Sequence, residues 1–251
     1  MKLPFGTACR FARPLAGPNP LPAMVASLAL LLGSPAAAQP ATPLPPLSEY
    51  FAQASAGPAS PDADGFIRRW LILEPVAKPN RTNTVFTGGY VREALSPETF
   101  PGDFDAVPRP GDHVRAADPL VWHALDSKLW DVKLFNFAQS LGEPKYGVVF
   151  WTVTVIDSPR ELKGVRLAVG SNSASRWWLN GEVAAELFDD RRMVMDDVLS
   201  DRLTLRKGRN VIRGAVINGP GLSDFCLRFL DESGAPITDL KIDVGKPGDR
   251  A

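Results

Sequence analysis

The sequence predicts an all-β protein built as an antiparallel β-sandwich or jelly roll. Its second half holds many short runs of β-branched and aromatic residues, and turn residues separate these runs at short intervals. Residues 146–157, YGVVFWTVTVID, are apolar at successive positions, which indicates a central strand covered on both faces. Helical periodicity is almost absent from this half, so a helical or alternating α/β fold is not expected.

The chain divides into four predicted segments. Residues 1–38 carry three basic and no acidic residues, a short apolar run and a final Ala-Ala-Ala, which is the layout of a secretory signal peptide. The alternative interpretation is an apolar N-terminal helix. Residues 39–65 are rich in Pro, Ala and Ser and predict a linker. Residues 66–245 then form a galactose-binding-like sandwich, and residues 246–251 form a tail.

Export by this leader predicts a periplasmic or extracellular protein. The apolar run is shorter than the roughly 20 residues that cross a bilayer, so no membrane span is expected in the mature chain. No basic block stands out, and nucleic acid is therefore not an expected partner. Cys226 is the single cysteine after the leader and lies in DFCLRFL, which predicts a buried structural thiol.

The first half of the sandwich is expected to be rich in loops. Residues 66–76, FIRRWLILEPV, predict an apolar strand closed by Glu-Pro, and residues 119–126 predict another strand. Between them, residues 77–118 contain many Pro, Gly and Asn and predict loops with one short helix near residues 89–95. One helical turn is also predicted within the linker, near residues 48–53.

Two adjacent tryptophans, Trp177 and Trp178, precede an Asn-Gly hairpin turn that begins at Asn180. Neighbouring residues on a strand face opposite ways, so Trp177 faces the core and Trp178 stands on the other face with Arg176 and Asn180. An aromatic ring flanked by a cation and an amide is a combination that binds sugars. The alternative is that residues 77–141 fold over this face and bury Trp178.

Three stretches carry a family resemblance: residues 66–76, residues 165–188 with their RWWLNGE hairpin, and residues 201–237. They resemble the galactose-binding-like β-sandwich domains of secreted bacterial carbohydrate-active proteins, and the whole chain resembles proteins often labelled acetylxylan esterase. The resemblance implies carbohydrate binding and is best over residues 146–240. Where such domains frequently carry paired acids, this chain has Ser171-Asn172-Ser173, so the loop lacks their negative charge.

Two loops at one end of the predicted sandwich carry candidate sugar ligands. Residues 218–224, NGPGLSD, link two strands, and the Gly-Pro-Gly within them fixes the shape of the loop. Asn218 and Asp224 frame this loop and are placed to reach a sugar hydroxyl or the neighbouring loop that contains Asn172. The alternative for Asn218 is structural: its side chain caps the turn.

The sequence gives little support for an esterase. The mature chain has no Gly-x-Ser-x-Gly motif, and its two histidines, His113 and His123, precede the better serine candidates. His123 lies three residues from Asp126, and this pair is a weak candidate for acid–base catalysis. A structural histidine that bonds to the backbone is the alternative interpretation.

An acidic run follows the hairpin, in residues 188–201, FDDRRMVMDDVLSD. Asp189 and Asp190 are weak candidates for metal ligands, because clustered carboxylate oxygens bind Ca²⁺. Paired carboxylates also serve glycoside hydrolysis. The third interpretation is a solvated loop whose acids pair with neighbouring arginines. Apart from a structural calcium ion, no cofactor is expected.

Three classes of function follow from these observations. The first is a secreted, non-catalytic carbohydrate-binding module associated with the degradation of plant or microbial polysaccharide. The second is an acetylxylan esterase or another carbohydrate-active hydrolase. The third is a protein-interaction domain in the periplasm, which docks on a secreted partner through the long loops of the first half.

Overall fold

The computed structural model describes residues 47–79, 88–114, 119–188, 192–219 and 221–245. The predicted signal peptide and the predicted tail both lie outside these residues. The strands, in chain order, are β1 (Phe51–Gln53), β2 (Arg69–Leu73), β3 (Val76–Ala77), β4 (His113–Val114), β5 (Leu120–Ser127), β6 (Val148–Ser158), β7 (Leu162–Ser171), β8 (Ser175–Leu179), β9 (Glu182–Leu187), β10 (Val198–Leu199), β11 (Leu203–Leu205), β12 (Gly208–Asn218), β13 (Phe225–Leu230) and β14 (Lys241–Ile242). The helices are α1 (Gly88–Ala94), a 3₁₀ turn (Pro97–Thr99) and α2 (Leu134–Leu141).

Antiparallel strands form two sheets, which confirms the predicted all-β, sandwich-like fold. The larger sheet has the strand order β1-β5-β2-β6-β12-β8-β9, with β3 and β14 paired to β6 and β4 paired to β5. In the smaller sheet, β7 pairs with β10 and β11, and it also pairs with β13. Because the connections are hairpins and crossovers between antiparallel strands, loops gather at the two ends of the sandwich.

Strands β6 and β12 are the centre of the larger sheet. They pair along their whole length, from Val148 opposite Asn218 to Ser158 opposite Gly208. Both faces of β6 are buried: Phe150 lies in one hydrophobic core and Trp151 lies in the other. The prediction of a central strand covered on both faces is confirmed, and the double burial explains why its sequence is apolar without alternation.

The inner core lies between the two sheets and is built around aromatic rings. The Trp70 and Trp177 rings meet at 5.9 Å, and both contact Phe225, at 5.1 Å and 4.8 Å. Residues of the smaller sheet, such as Leu167 and Leu227, fill the same core. Trp177 therefore faces the core, as the alternation of the strand predicts.

A second, outer core lies on the opposite face of the larger sheet, beneath residues 88–114, which we call the cover segment. Helix α1 confirms the short helix predicted near residues 89–95 and buries Val91 and Ala94 against the sheet. The Phe100 ring packs edge-on against Trp151 at 5.0 Å. The cover segment thus forms a third layer of the fold.

The cover segment is also held by a buried cation. Arg213, on the outer face of β12, donates from Nη2 to the backbone carbonyls of Asp105 (2.9 Å) and Ala106 (3.1 Å). Burial lowers the pKa of this guanidinium from its ordinary value, although Asp105 and Asp103 attract the charge. Arg213 therefore joins the central strand to the loop that follows Phe104.

The predicted linker is wrong over residues 51–65, and so is the predicted helical turn near residues 48–53. Strand β1 pairs with β5 at the edge of the larger sheet, and Phe51 is buried in the inner core. Arg69 holds the residues that follow β1 against the sheet. Its guanidinium bonds to both oxygens of Asp126 (2.7 and 2.8 Å) and to Ser55 Oγ (2.7 Å). The packed domain therefore includes residues that composition alone assigns to a linker.

Helix α2 has no counterpart among the sequence predictions. Its sequence, LFNFAQSL, buries Leu134, Phe137 and Ala138, which lie at the spacing of one helical face. Gly142 ends the helix in the left-handed region, with φ of 75°. Among the described residues, no helix is long and apolar enough to span a membrane.

Candidate functional site

The open tryptophan platform predicted at Trp178 is wrong. Trp178 is 1% exposed, because the cover segment lies over it. Its ring stacks on Trp151 at 5.9 Å and meets the Phe104 ring edge-on at 5.3 Å. The alternative interpretation, in which the first-half loops bury this face, is the one that the structure shows.

The two polar neighbours of Trp178 have internal partners. Arg176 Nε lies 2.9 Å from Glu186 Oε1 on the adjacent strand. Asn180 Oδ1 accepts from the Val211 N–H at 2.9 Å, and its Nδ2 donates to Asn210 Oδ1 at 3.0 Å. Asn180, at φ 52°, also confirms the predicted Asn-Gly hairpin turn. These side chains stabilise the hairpin and do not form an open sugar site.

The structure does bring together the loops that hold Asn172, Asn218 and Asp224. The Asn172 N–H donates to the Asp224 carbonyl at 3.2 Å, and Ser171 Oγ donates to the same carbonyl at 3.1 Å. Asn218 and Asp224 are nevertheless buried, whereas Asn172 is half-buried. The prediction that these residues reach the neighbouring loop is confirmed, and their role as sugar ligands stays a prediction: Asn172 Oδ1, Asn218 Oδ1 and Asp224 Oδ1 are buried and accept no hydrogen bond from the described residues.

Asn218 has the bonds of a turn cap. Its Nδ2 donates to the Lys145 carbonyl and, at 3.3 Å, to the Gly221 carbonyl. We expect Asn218→Ala to lower the free energy of unfolding by about 1–3 kcal/mol, since it removes two hydrogen bonds that a fully buried amide donates across the turn. Glycan affinity should not change. Chemical denaturation and a binding titration on the same preparation check both expectations, and a loss of affinity without a loss of stability would contradict them.

Asp224 shares one cation with a second acid. Lys133 Nζ lies 2.6 Å from Asp131 Oδ2 and 3.0 Å from Asp224 Oδ2. Burial raises the pKa of Asp224, because desolvation outweighs the attraction of a single ammonium that Asp131 also uses. Burial alone lowers the pKa of Lys133, but its two carboxylate partners raise it above the ordinary value.

This arrangement predicts an unusual pH dependence for Asp224→Asn. A carboxyl whose folded pKa is raised loses its contribution to stability as pH rises from the unfolded to the folded pKa. Asparagine does not ionise, so the variant does not lose this stability. The stability of the variant minus that of the wild type should therefore be greater at pH 7 than at pH 4. Denaturation curves at both pH values measure the difference, with the exposed Asp239→Asn as the control. A relative loss for the variant at pH 7 would show that Lys133 lowers the pKa of Asp224 instead.

His123 and Asp126 do not form the predicted weak acid–base pair. His123 Nε2 lies 2.9 Å from Glu74 Oε1, and the ring is buried against Phe137. Asp126 is bound by Arg69, as described above. Successive residues of β5 point to opposite faces, so two side chains three positions apart lie on different faces of the sheet. His123 is therefore a buried residue, as the structural interpretation expects, but its partner is the Glu74 side chain and not the backbone.

The metal candidates Asp189 and Asp190 lie outside the described residues, so the calcium site there stays a prediction. Within the described ranges, no three His, Cys, Asp or Glu side chains come together as a metal centre requires. Asp196, further along the acidic run, pairs with Arg228, whose Nε donates to it at 2.9 Å. Cys226 is buried, and burial raises its pKa to about 12, which confirms a structural thiol.

A concave site lies in the cover segment, and we call it the outer cleft. It has a volume of about 440 Å³, which falls within the range of small-molecule sites. Loops of the cover segment form its walls, and β4 and β5 contribute to its base. The lining residues are Phe100, Pro101, Gly102, Asp103, Ala106, Val107, Pro108, Asp112, His113, Val114 and Trp122.

Backbone bonds fix the shape of the outer cleft. Strand β4 pairs His113 with Val121, and the Gly111 N–H donates to the Trp122 carbonyl at 2.8 Å. The turn before β4 is closed by Asp112 Oδ2, which accepts from the Arg109 N–H at 2.8 Å. The cleft therefore combines apolar walls with carboxylates and an imidazole on ordered loops.

Sequence reasoning missed the cleft because its walls come from a loop. The segment FPGDFDAVPRPGDHV, residues 100–114, was predicted only as irregular structure. Its signal is the mixture of aromatic residues, acids and turn residues in one short stretch. Which of these side chains converge depends on how the loop crosses β5, and no local pattern contains that information.

Fold and cleft together define an antiparallel β-sandwich with a covered outer face. No protein-family model matches the chain, and no curated protein matches it. Solved structures do resemble it in fold. A PA14 sugar-binding domain from an RTX adhesin is 13% identical, over 71% of this chain and 100% of that chain, with a TM-score of 0.40. The PA14 domain of the MpAFP antifreeze protein is 11% identical, over 79% and 90%, with a TM-score of 0.34.

A β-glucosidase from Kluyveromyces marxianus is 17% identical, over 75% of this chain and 19% of that chain, with a TM-score of 0.36. The match therefore spans a small part of that enzyme. Identities and TM-scores this low carry no inference about what this chain binds or does. The galactose-binding-like and acetylxylan esterase resemblance stays a prediction.

Proposed function

We propose that this chain is an exported carbohydrate-binding module whose sugar site is the outer cleft. The observation that carries the proposal is the composition of that cleft, where apolar walls meet a few placed polar groups. Carbohydrates need both, since their ring C–H faces pack on apolar surface and their hydroxyls require directed hydrogen bonds. Export by the predicted signal peptide would place the domain where polysaccharides occur.

The apolar part of the cleft comes from Pro101, Val107 and Pro108, which are half-buried side chains of the loop. Phe100 and Trp122 support this surface from below, because their rings are buried in the outer core. Prolines keep their shape because φ is fixed, so these walls lose little conformational entropy when a ligand binds. This surface suits the flat face of a sugar ring.

The polar part comes from the acids and His113. Carboxylate oxygens accept hydrogen bonds from sugar hydroxyls, and such charge-assisted bonds are stronger than neutral ones. The Asp103 and Asp112 side chains are each tied to a backbone N–H, so they are held in position before any ligand arrives. His113 is exposed at the edge of β4, where it adds a ring nitrogen to the same cleft.

Binding to a glycan panel tests the proposal. The purified mature chain would be titrated with soluble xylan, mannan, pectin and cello-oligosaccharides, and mixed with insoluble cellulose and chitin. We expect at least one glycan to bind, and we expect the double substitution Asp103→Ala with His113→Ala to weaken it about tenfold. Loss of two hydrogen bonds of about 0.7 kcal/mol each gives that factor.

A matched control separates the site from a general loss of charge. Glu143→Gln removes one exposed carboxylate that does not line the cleft, and it should leave affinity unchanged. Retention of no glycan across the panel would contradict the proposal. Binding that the double substitution leaves intact would contradict the assignment of the site.

A further inference from the structure

Four buried oxygen atoms at one end of the sandwich lack hydrogen-bond partners. Asn218, Ser223 and Asp224 are each at most 2% exposed, and Asn172 is half-buried. No described residue donates to Asn172 Oδ1, Asn218 Oδ1 or Asp224 Oδ1, and Ser223 Oγ has no described partner either. We call these four atoms the oxygen cluster. Buried polar atoms nearly always have a partner in native proteins, so the cluster indicates a bound group.

The loops that carry the oxygen cluster are bonded to each other. The Asn172 N–H and Ser171 Oγ both donate to the Asp224 carbonyl, at 3.2 and 3.1 Å. Asn218 Nδ2 donates to the Gly221 carbonyl at 3.3 Å, within the loop that ends at Asp224. These bonds use the amide nitrogen of Asn218 and leave its oxygen buried without a donor. The cluster therefore belongs to one connected set of ordered loops.

The charge beside the oxygen cluster is not balanced. Lys133 Nζ lies 2.6 Å from Asp131 Oδ2 and 3.0 Å from Asp224 Oδ2, so two carboxylates share one ammonium. The Lys145 ammonium lies over the Phe135 ring instead, 5.0 Å from its centre. Burial raises the pKa of Asp224, which agrees with this incomplete balance. A buried negative charge needs a counter-charge, and Asp224 Oδ1 is free to bind one.

The chemistry of the oxygen cluster suits calcium. It offers two amide oxygens, one carboxylate oxygen and one hydroxyl, so amides and a hydroxyl supply most of the set. Ca²⁺ accepts roughly six to eight such oxygens in flexible geometry, and backbone carbonyls and water complete its shell. Mg²⁺ demands near-ideal octahedral geometry and keeps several of its waters, which a closed group of buried side chains does not favour.

We propose that the oxygen cluster binds one calcium ion, with Asn172, Asn218 and Asp224 among its ligands. The ion would join the loop after β7 to the loop between β12 and β13 and stabilise that end of the sandwich. The site shares no residue with the outer cleft, so it does not depend on the proposed function. It is also distinct from the metal candidates Asp189 and Asp190, which belong to another loop.

Titration of CaCl₂ into the purified, chelator-treated chain tests the proposal by calorimetry. We expect one ion per chain with a Kd of about 0.1–1 mM, the range of extracellular calcium sites. Relative to EDTA, about 10 mM CaCl₂ should raise the melting temperature by about 4–8 °C. The same concentration of MgCl₂ should raise it by less than about 1 °C. The pH dependence predicted above for Asp224→Asn is accordingly measured in EDTA.

Two substitutions of Asn172 should change calcium binding in opposite directions. Asn172→Ala removes one ligand but keeps the backbone bond to Asp224, so it should weaken binding about tenfold or more with little change of stability in EDTA. Asn172→Asp adds a carboxylate and should strengthen binding about fivefold. Asn136 is a half-buried asparagine of α2 outside the cluster. Asn136→Ala and Asn136→Asp are therefore the matched controls and should leave calcium binding unchanged.

Three outcomes would overturn the inference. Absence of both heat and a thermal shift with CaCl₂ would show that internal water, and not an ion, fills the oxygen cluster. Equal stabilisation by MgCl₂ would show a general effect of salt. Calcium binding that Asn172→Ala and Asp224→Asn both leave unchanged would place the ion elsewhere. None of these results bears on the glycan panel, so carbohydrate binding is judged separately.

Discussion

Gly214→Ala is expected to destabilise the protein by about 3 kcal/mol or more. Gly214 lies on β12 opposite Trp177 of β8, on the face that points to the inner core. A Cβ at this position would lie 2.2 Å from Trp177 Cζ3 and 2.6 Å from its Cε3. The ring is fully buried and has no free space to enter, so the strand or the core must shift, as in other overpacked cores.

Thermal and chemical denaturation measure this effect. A loss of 3 kcal/mol lowers the melting temperature of a domain of this size by about 10 °C. Gly89→Ala is the matched control, because a Cβ there meets no atom within 4 Å and α1 gains a better helix former. Removing the ring should also relieve the clash: Gly214→Ala with Trp177→Leu should cost less than the sum of the single variants. Strict additivity would contradict the proposed contact.

Trp178→Ala has the second large expected effect, a loss of about 3–5 kcal/mol, the usual cost of emptying a buried tryptophan site. The lost contacts are those with Trp151 and Phe104, which join the cover segment to the sheet. Glycan affinity of the remaining folded protein should be unchanged, because Trp178 does not line the outer cleft. Denaturation measures the loss of stability, and a glycan titration below the melting temperature measures the affinity.

The control for this variant is another tryptophan. Trp130 is 36% exposed and contacts the Phe66 ring at 5.5 Å. Trp130→Ala should therefore cost only about 1 kcal/mol, the scale of one aromatic contact. If Trp178→Ala instead abolished glycan binding with an unchanged melting temperature, the exposed platform predicted from the sequence would be correct after all.

The core strands could be predicted because their signal is local. Residues 146–157 show burial on both faces, and the alternation around Trp177 identifies the core side of β8. The turn at Asn180 follows from the φ > 0 that a two-residue hairpin requires. Strand pairing then places these elements in one sheet with little freedom left.

The burial of Trp178 could not be predicted, because it depends on the cover segment, which is distant in sequence. Alternation gives the face of a residue, but not what covers that face. The cover segment has no periodic pattern, and its anchors, such as Phe100 and Arg213, contact the sheet only in the folded chain. Strand β1 could not be predicted for a related reason. It has three residues in a Pro-rich stretch, which is too short to show the alternation of a strand.

The candidate site was likewise predictable in part: the meeting of its loops was predicted, and the burial of its side chains was not. Asn172, Asn218 and Asp224 were predicted to meet, and the loops that hold them do meet, because adjacent strands end there. Their burial was not predictable, since it depends on Lys145 and on the start of α2. The outer cleft was missed entirely, because its walls come from a loop whose path is set by tertiary contacts.

Mapping by NMR tests most directly whether the outer cleft binds carbohydrate. The ¹⁵N–¹H spectrum of the purified chain would be recorded with and without the glycan that binds best in the panel. We expect shifts at the backbone N–H groups of Asp103 and His113 and at the Trp122 indole, which line the cleft. Shifts confined to the loops of Asn172 and Asn218, or no shift with any glycan, would contradict it.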